Sequence, residues 1–451
     1  MTDIQAFLQK LMARAKEAGI EACEAYLAEE ESFSAMTTEG EVVEYKSNMT
    51  RGLGFRGLKG GRMGYASTEA FDEDAIEQLV KGVVESAELC EDADAEFLYD
   101  GAQPAPQIDL CDPAMAAVAP EEKIDCLLAM EKKIKAYDPR IDKTAHNSLE
   151  TGRGSVRIVN SYGMDRSYTQ DVCALFGQAT AKDGDFVSTG FGGTVSHTYA
   201  RLDADDIAKK AARRAVDALN ARPVPSGKYH VVILNEAMTD LMGVFSSIFS
   251  AESAQKGLSL LKGKLGETIA APCVTLTDDP LLPGGLASRP FDAEGVPSRT
   301  NTLVDAGVFK TFLHNLKTAH KDGVSTTGNA SKAGYAGSVH VSPTNLYLKP
   351  GARGLDELLA SIGEGLVITE VSGLHAGANA VSGEFSLLSK GYTFRNGRRE
   401  RAVEQITVSG SFLSLMRGVE AVGSDLRFGL PGASCFGSPS VLVSALAVSG
   451  K

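Results

Sequence analysis

Tryptophan is absent from the 451-residue sequence, and cysteine and histidine occur only seven times each. The cysteines (Cys23, Cys90, Cys111, Cys126, Cys173, Cys273 and Cys435) are scattered and never in Cys-x-x-Cys spacing. Both a four-cysteine zinc site and a disulfide framework are therefore disfavoured, and a reducing compartment is expected. Long apolar runs are missing too. The longest, residues 441–448, is interrupted by Ser444 and far too short to span a bilayer. No export signal is legible at the N-terminus: Ile4, Phe7, Leu8, Leu11, Met12 and Ala15 fall on one face of a helix capped by Thr2-Asp3. A cytoplasmic protein without a membrane partner is expected. Positive charge is also short. The formal net charge of -13 argues against a sequence-independent grip on phosphate backbones, so no direct nucleic-acid contact is expected.

What is present is the composition of a soluble globular protein, 43% apolar and 23% charged, long enough for two or three domains. The first half reads as one unit written twice. A helix, strands at 22–29 and 33–37, a Glu39-Gly40 turn, a strand at 42–46, a glycine-rich hairpin at 51–63 and a strand at 64–67 lead into a helix opened by Asp72. The order returns as a helix at 121–136, strands from 143 to 187, glycines at 190–193 and a helix opened by Asp203. The closing stretches align, Tyr65 to Ile76 against His197 to Ile207. Proline-rich residues 100–120 and 222–227 read as linkers. Beyond them the chain is glycine-rich with frequent strand-like stretches. The expected fold class is α+β: a duplicated helix–antiparallel β-meander–helix region, then a mainly antiparallel β domain. The expected divisions are 1–112, 113–222 and 223–451.

One stretch of the last division could carry chemistry. Residues 229–234 read as a buried strand, Asn235 as an N-cap, and Ala237, Met238, Leu241, Met242 and Phe245 repeat at helical spacing. The polar residues at this strand-to-helix corner spell Asn235-Glu236-x-x-x-Asp240, the outline of a metallopeptidase motif with both histidines missing. An amide oxygen is a poor zinc ligand, and positions five apart diverge by about 140° on a regular helix. Helix capping is the plainer account. Gly52-Leu-Gly54-Phe-Arg-Gly57 matches a dinucleotide fingerprint in letters, but no helix follows to receive a pyrophosphate, so a hairpin is expected. His314 and His320 are expected at the surface or in a loop. Arg395, Arg398, Arg399 and Arg401, around the turn signal Asn396-Gly397, are expected on a solvated hairpin. Cys435 has no basic sequence neighbour to form its thiolate and is expected to be a small packed side chain.

Residues 286–295 (Leu-Ala-Ser-Arg-Pro-Phe-Asp-Ala-Glu-Gly), 325–330 (Ser-Thr-Thr-Gly-Asn-Ala), 363–370 and 433–437 together resemble the TldD/PmbA family, also called the modulator of DNA gyrase family. The duplicated first half is similar to that family's N-terminal region. The resemblance implies metal-dependent cleavage of unfolded or small peptide substrates by a pair of similar subunits. In the TldD type, His-Glu-x-x-x-His and a cysteine near the C-terminus hold the metal. Asn235, Glu236, Asp240 and Cys435 take those positions here, which makes the chain similar to the PmbA/TldE type. Glu236 is then a vestigial catalytic position, no metal or other cofactor is expected on this chain, and a TldD-like partner carries the zinc. Glycine-rich segments such as Gly284-Gly285 and Gly328 would let an extended peptide backbone approach. Two alternatives stay open: a self-sufficient hydrolase using Glu236, Asp240 and Cys435, and a non-enzymatic homodimer that binds or regulates.

Overall fold

Cys23, Ala25 and Leu27 alternate with Glu24 and Tyr26, and this period of two runs on through a single strand, β1 (Ala22–Thr38). The computed structural model describes residues 4–90 and 94–451, so the Thr2-Asp3 cap lies outside the described residues. The expected break at residues 30–32 does not occur, and Glu29, Glu30 and Glu31 all lie within the strand. These exposed glutamates cross the gap between two helix-covered cores, one holding Ala25 and Leu27 and the other Phe33 and Ala35.

β2 (Glu41–Lys59) is likewise continuous and pairs with β1 along its length, while β3 (Arg62–Thr68) pairs only with residues 53–59 of β2. Helices α1 (Ile4–Glu17) and α2 (Glu73–Leu89) cover one face, and the Asp72 side chain accepts the Ala75 N–H to cap α2. The second unit repeats the scheme with α3 (Pro120–Ala136), β4 (Ile141–Thr144), β5 (Asn147–Asn160), β6 (Asp165–Asp183), β7 (Phe186–Ser196) and α4 (Ala204–Asp217), capped by Asp203. A shared device marks the duplication. A Cβ on Gly64 of β3 would overlap the backbone of Val83 in α2, and one on Gly190 of β7 would overlap Ala211 in α4. In both units, then, glycine lets the closing helix settle onto the last strand. The two meanders are not separate sheets. β1 and β5 pair antiparallel from Glu24↔Asn160 to Thr37↔Asn147, giving one seven-stranded sheet among the described residues.

Gly52, Gly54 and Gly57 lie within β2 rather than in a hairpin turn, which corrects the expected placement. A Cβ on Gly54 would overlap the carbonyl oxygen of Tyr335, and one on Gly52 its ring, so these glycines admit a loop of the C-terminal domain onto the sheet. Gly54→Ala is expected to destabilise the chain by about 1–3 kcal/mol, read by denaturant unfolding; an unchanged midpoint would refute that explanation of the glycines. Residues 100–114 have no regular structure yet are docked: Leu110 is buried and the Asp112 N–H donates to the Asp171 carboxylate at 2.8 Å.

The C-terminal domain is built from β8 (Gly227–Ile233), α5 (Asn235–Phe245), β9 (Leu276–Asp278), β10 (Asn345–Leu348), α6 (Leu355–Ile362), β11 (Glu364–Ser372), β12 (Glu384–Arg395), β13 (Arg398–Ser411), β14 (Val419–Val422), β15 (Cys435–Ser438) and β16 (Val441–Ser449), with shorter pieces between them. Its main sheet has the order β13-β12-β11-β8-β16-β14, and β13 pairs back to β16 so that the sheet curls on itself. Most pairs are antiparallel; β8–β11 and β10–β15 are parallel. Val231 and Ile233 face α5 and the main core, whereas Val232 faces Leu358 and Leu359 of α6. Burial on both faces explains why β8 reads as an unbroken apolar run. Among the described residues no helix is long and apolar enough to cross a membrane.

Two surface expectations change. His314 lies in a loop, as expected, but is only 4% exposed rather than at the surface; His320 is exposed, as expected, with its ring centre 4.4 Å from that of Phe97 and the planes tilted by 43°. The arginine hairpin does turn at Asn396-Gly397, both at positive φ, but it is anchored rather than merely solvated. Arg399 donates to the Asp217 carboxylate at 2.9 Å, and Arg401 donates to the Arg222 carbonyl at 3.1 Å.

A candidate cleft at the strand-to-helix corner

Leu234, not Asn235, is the capping residue of α5, one position earlier than expected. Asn235 is the first helical residue, and its side chain is taken up by a neighbouring loop. Its Nδ2 donates to the Asp425 carbonyl at 2.9 Å and to the Asp425 carboxylate at 3.2 Å, while its Oδ1 accepts the Glu236 N–H at 2.8 Å. The Asp425 carboxylate also accepts from Ser440, from N–H at 2.9 Å and hydroxyl at 2.7 Å. This cluster fixes the start of α5 against residues 425–430.

Glu236 points away from that cluster and lies between two arginines. Arg214 of α4 donates to its two oxygens at 2.7 and 2.8 Å, and Arg427 approaches at 2.6 Å. Arg214 also holds the Phe191 carbonyl at 3.0 Å, so the contact ties α4, β7 and α5 together. These three residues line a cleft of ≈ 990 Å³ between the central unit and the C-terminal domain. Asp240 stands on the open side of α5 in the same wall. Desolvation there and the nearby charges of Glu236 and Glu370 push its carboxyl up to about 6. Arg201, Lys210, Arg214 and Arg427 face Asp203, Asp206, Glu236, Asp240 and Asp425, so the cleft carries mixed charge with no strong excess of either sign. Residues 282–285, Leu-Pro-Gly-Gly, close one side as a tight turn. Gly284 sits at φ +69° and the Gly285 N–H donates to the Leu282 carbonyl at 2.9 Å, the pattern of a type II turn.

Cys435 is brought near this corner but not into it. It is fully buried at the start of β15, its Sγ lies 3.7 Å from the Gly429 carbonyl, and burial pushes the thiol up to about 11. Gly328 is also buried, beside Pro297, and is unavailable to a peptide backbone. Among the described residues no three His, Cys, Asp or Glu side chains form a group suited to a metal ion. The chemistry of three of the four motif positions agrees. The Glu236 carboxylate is engaged by two guanidiniums, the Asn235 amide oxygen is held by its own helix, and Cys435 carries a buried neutral thiol. These side chains do not fit a zinc ion. Sequence reasoning missed Arg214, Arg427, Asp425 and Ser440. They come from distant segments, and no local spacing marks them.

Models of the PmbA/TldA metallopeptidase match this chain in three segments: domain 1 over residues 23–87, the central domain over 115–219 and the C-terminal domain over 226–450. The chain belongs to the PmbA/TldD family. A Thermotoga maritima protein named for modulation of a DNA gyrase is 35% identical in sequence; the match covers 99% of this chain and 100% of that one, with a TM-score of 0.91. The metalloprotease PmbA of Escherichia coli O157:H7 is 28% identical over 401 residues, 87% of this chain and 85% of that protein. TldE from Thermococcus kodakarensis shares the fold at a TM-score of 0.90 with 20% identity, over 98% of this chain and 100% of that one. The stretches that carry the family resemblance form the inner frame of the C-terminal domain. The Asp292 carboxylate accepts the N–H groups of Glu294, Val296 and Ala330, and Asn329 donates to the Asp278 carboxylate at 2.6 Å. In this PmbA/TldD-family chain that frame supports the turn at 282–285 beside the cleft.

Proposed function

We propose that this chain is the PmbA/TldE-like subunit of a cytoplasmic metal-dependent peptidase complex, itself without a zinc site. A TldD-like partner would supply the zinc, the histidines and the water-activating glutamate. This chain would complete the enclosure around an unfolded or small peptide. One observation carries the reading: Glu236, at the position of the catalytic glutamate, is neutralised by Arg214 and Arg427, with an amide and an acid where imidazoles would bind metal. A carboxylate clamped in this way cannot polarise an attacking water. The cleft of ≈ 990 Å³ and the exposed glycine turn at Gly284 suit an extended backbone. The test is to purify the chain alone and with its TldD-like partner, then measure zinc content and peptide cleavage. Cleavage is expected only with the partner present. Stoichiometric zinc and cleavage by the isolated chain would overturn the assignment.

A separate observation favours the second reading, a homodimer that binds or regulates. Residues 41–52 of β2 have no strand partner on the side away from β1 among the described residues, and Val43, Tyr45 and Met49 are 56%, 53% and 81% exposed. Natural proteins usually shield so long an edge. Antiparallel pairing of two copies about Tyr45 would set Glu44 against Lys46 on both sides of the axis. Tyr45→Lys would oppose two lysines there and is expected to weaken dimerisation at least about tenfold, read by light scattering on a sizing column. A wild-type chain that stays monomeric at high micromolar concentration would end this reading.

A further inference from the structure

A second tie joins the central unit to the C-terminal domain beside the cleft, next to its lining residues Ser196 and Gly285. His197 directly follows β7 and is 8% exposed. Its Nδ1 lies 2.6 Å from the backbone carbonyl oxygen of Asp171 in β6, and its Nε2 lies 3.1 Å from the carbonyl oxygen of Gly285 in the turn that lines the cleft. A carbonyl oxygen only accepts, and a neutral imidazole has one N–H to give. The observed geometry is therefore bonded at both ends only when the ring carries both protons.

We propose that His197 is a proton-dependent tie that docks the 282–285 turn of the cleft onto the central sheet. The proposal is independent of the peptidase reading, because it concerns the position of one cleft wall whatever the cleft binds. The shorter contact, to Asp171, keeps its proton when the ring loses one, so deprotonation removes the Nε2–H bond to Gly285. A lone pair then faces the Gly285 oxygen and pushes the turn away. Other supports of the turn are uncharged: the Ser288 N–H donates to the same Gly285 oxygen at 3.0 Å, the Ser288 hydroxyl donates to the Leu282 carbonyl at 2.8 Å, and the Ala287 N–H donates to Asn345 Oδ1 at 3.0 Å.

Among the described residues, charged groups face the ring only from the sheet side. Asp171 and Asp112 both lie close: the Asp171 carboxylate binds Arg153 at 2.7 Å, and the Asp112 carboxylate accepts the Tyr199 N–H at 2.8 Å. Arg153 opposes the cation from β5. Residues 280–288, on the other side, have no ionisable side chain. The turn is therefore held while the ring carries both protons and released when it loses one. His197 is thus a positioning residue, acting through the turn.

Hydrogen exchange of the 282–288 amides in the full chain tests this, with rates corrected for the intrinsic effect of pH. Protection in the wild type is expected to fall about tenfold from acid to alkaline, the worth of one charged hydrogen bond. In His197→Gln, whose amide keeps the same charge throughout, protection should not change with pH. A wild type without the fall, or a glutamine variant that keeps it, overturns the proposal. Nitrogen NMR of the wild-type imidazole keeps the test decisive if the variant does not fold. Proton loss at Nε2 must share its midpoint with the loss of protection, and separate midpoints overturn the tie.

Discussion

Arg56→Met is expected to lower the unfolding free energy by about 3–5 kcal/mol, read by guanidinium unfolding at neutral pH. Arg56 lies between Glu24 of the sheet at 2.8 Å and Glu294 of the C-terminal domain at 3.5 Å, and all three side chains are at most 4% exposed. Methionine fills much the same volume but removes the guanidinium beside two buried carboxyl groups, leaving Lys332 as the remaining cation near them. Removing the three ionisable groups together, as Glu24→Gln, Arg56→Met and Glu294→Gln, should recover much of the loss, because the cost of burying them disappears with them. A single variant as stable as the wild type would mean that water reaches this interface.

The same site gives a pH dependence with a definite sign. Burial pushes the Glu294 carboxyl up to about 8; Arg56 opposes the shift, while Asp292 and Glu24 add to it. A carboxyl that binds its proton more tightly in the folded chain stabilises that chain at low pH. The contribution is complete below the ordinary value of 4.5, declines above it, and is gone once the pH passes about 8. The melting temperature should therefore fall between pH 6 and pH 9, and Glu294→Gln should flatten that fall.

Elements that bury one face in a regular rhythm were legible in the sequence. Val231 to Phe245 reads as strand and then helix because an unbroken apolar run gives way to a helical period, and the duplication shows in the aspartates that cap α2 and α4. Where burial follows long-range contacts, local reading failed. Glu30-Glu31-Ser32 looks like a break because nothing nearby says that β2 and β5 flank it on both sides. Gly52 and Gly54 imitate a cofactor motif because the loop that fills their space arrives from Tyr335. The loop position of His314 was legible, but its burial was not, because the segment at Thr326 and Thr327 that folds against it is remote in sequence. The candidate site divides the same way. Asn235, Glu236 and Asp240 stand together on one helix and could be picked out from their spacing. The arginines that decide the state of Glu236 sit 22 residues before it, in another unit, and on a two-residue strand near the C-terminus.

Restoring both histidines is expected to be insufficient to create a zinc site. Asn235→His with Asp240→His rebuilds His-Glu-x-x-x-His, yet leaves Glu236 between Arg214 and Arg427. A divalent ion would have to settle beside two guanidinium charges in a cleft where water screens them incompletely. Zinc affinity of this double variant should stay within about tenfold of the unaltered chain. Adding Arg214→Met and Arg427→Met removes the repulsion and frees the carboxylate, and should tighten zinc by at least about 100-fold over the double variant. Both arginines are more than a third exposed, so the fold should tolerate their loss, which circular dichroism can confirm. Competition with a chelating dye measures all three chains. Tight zinc binding by the double variant alone would show that the arginines do not control this corner, and would remove the observation on which the subunit assignment rests.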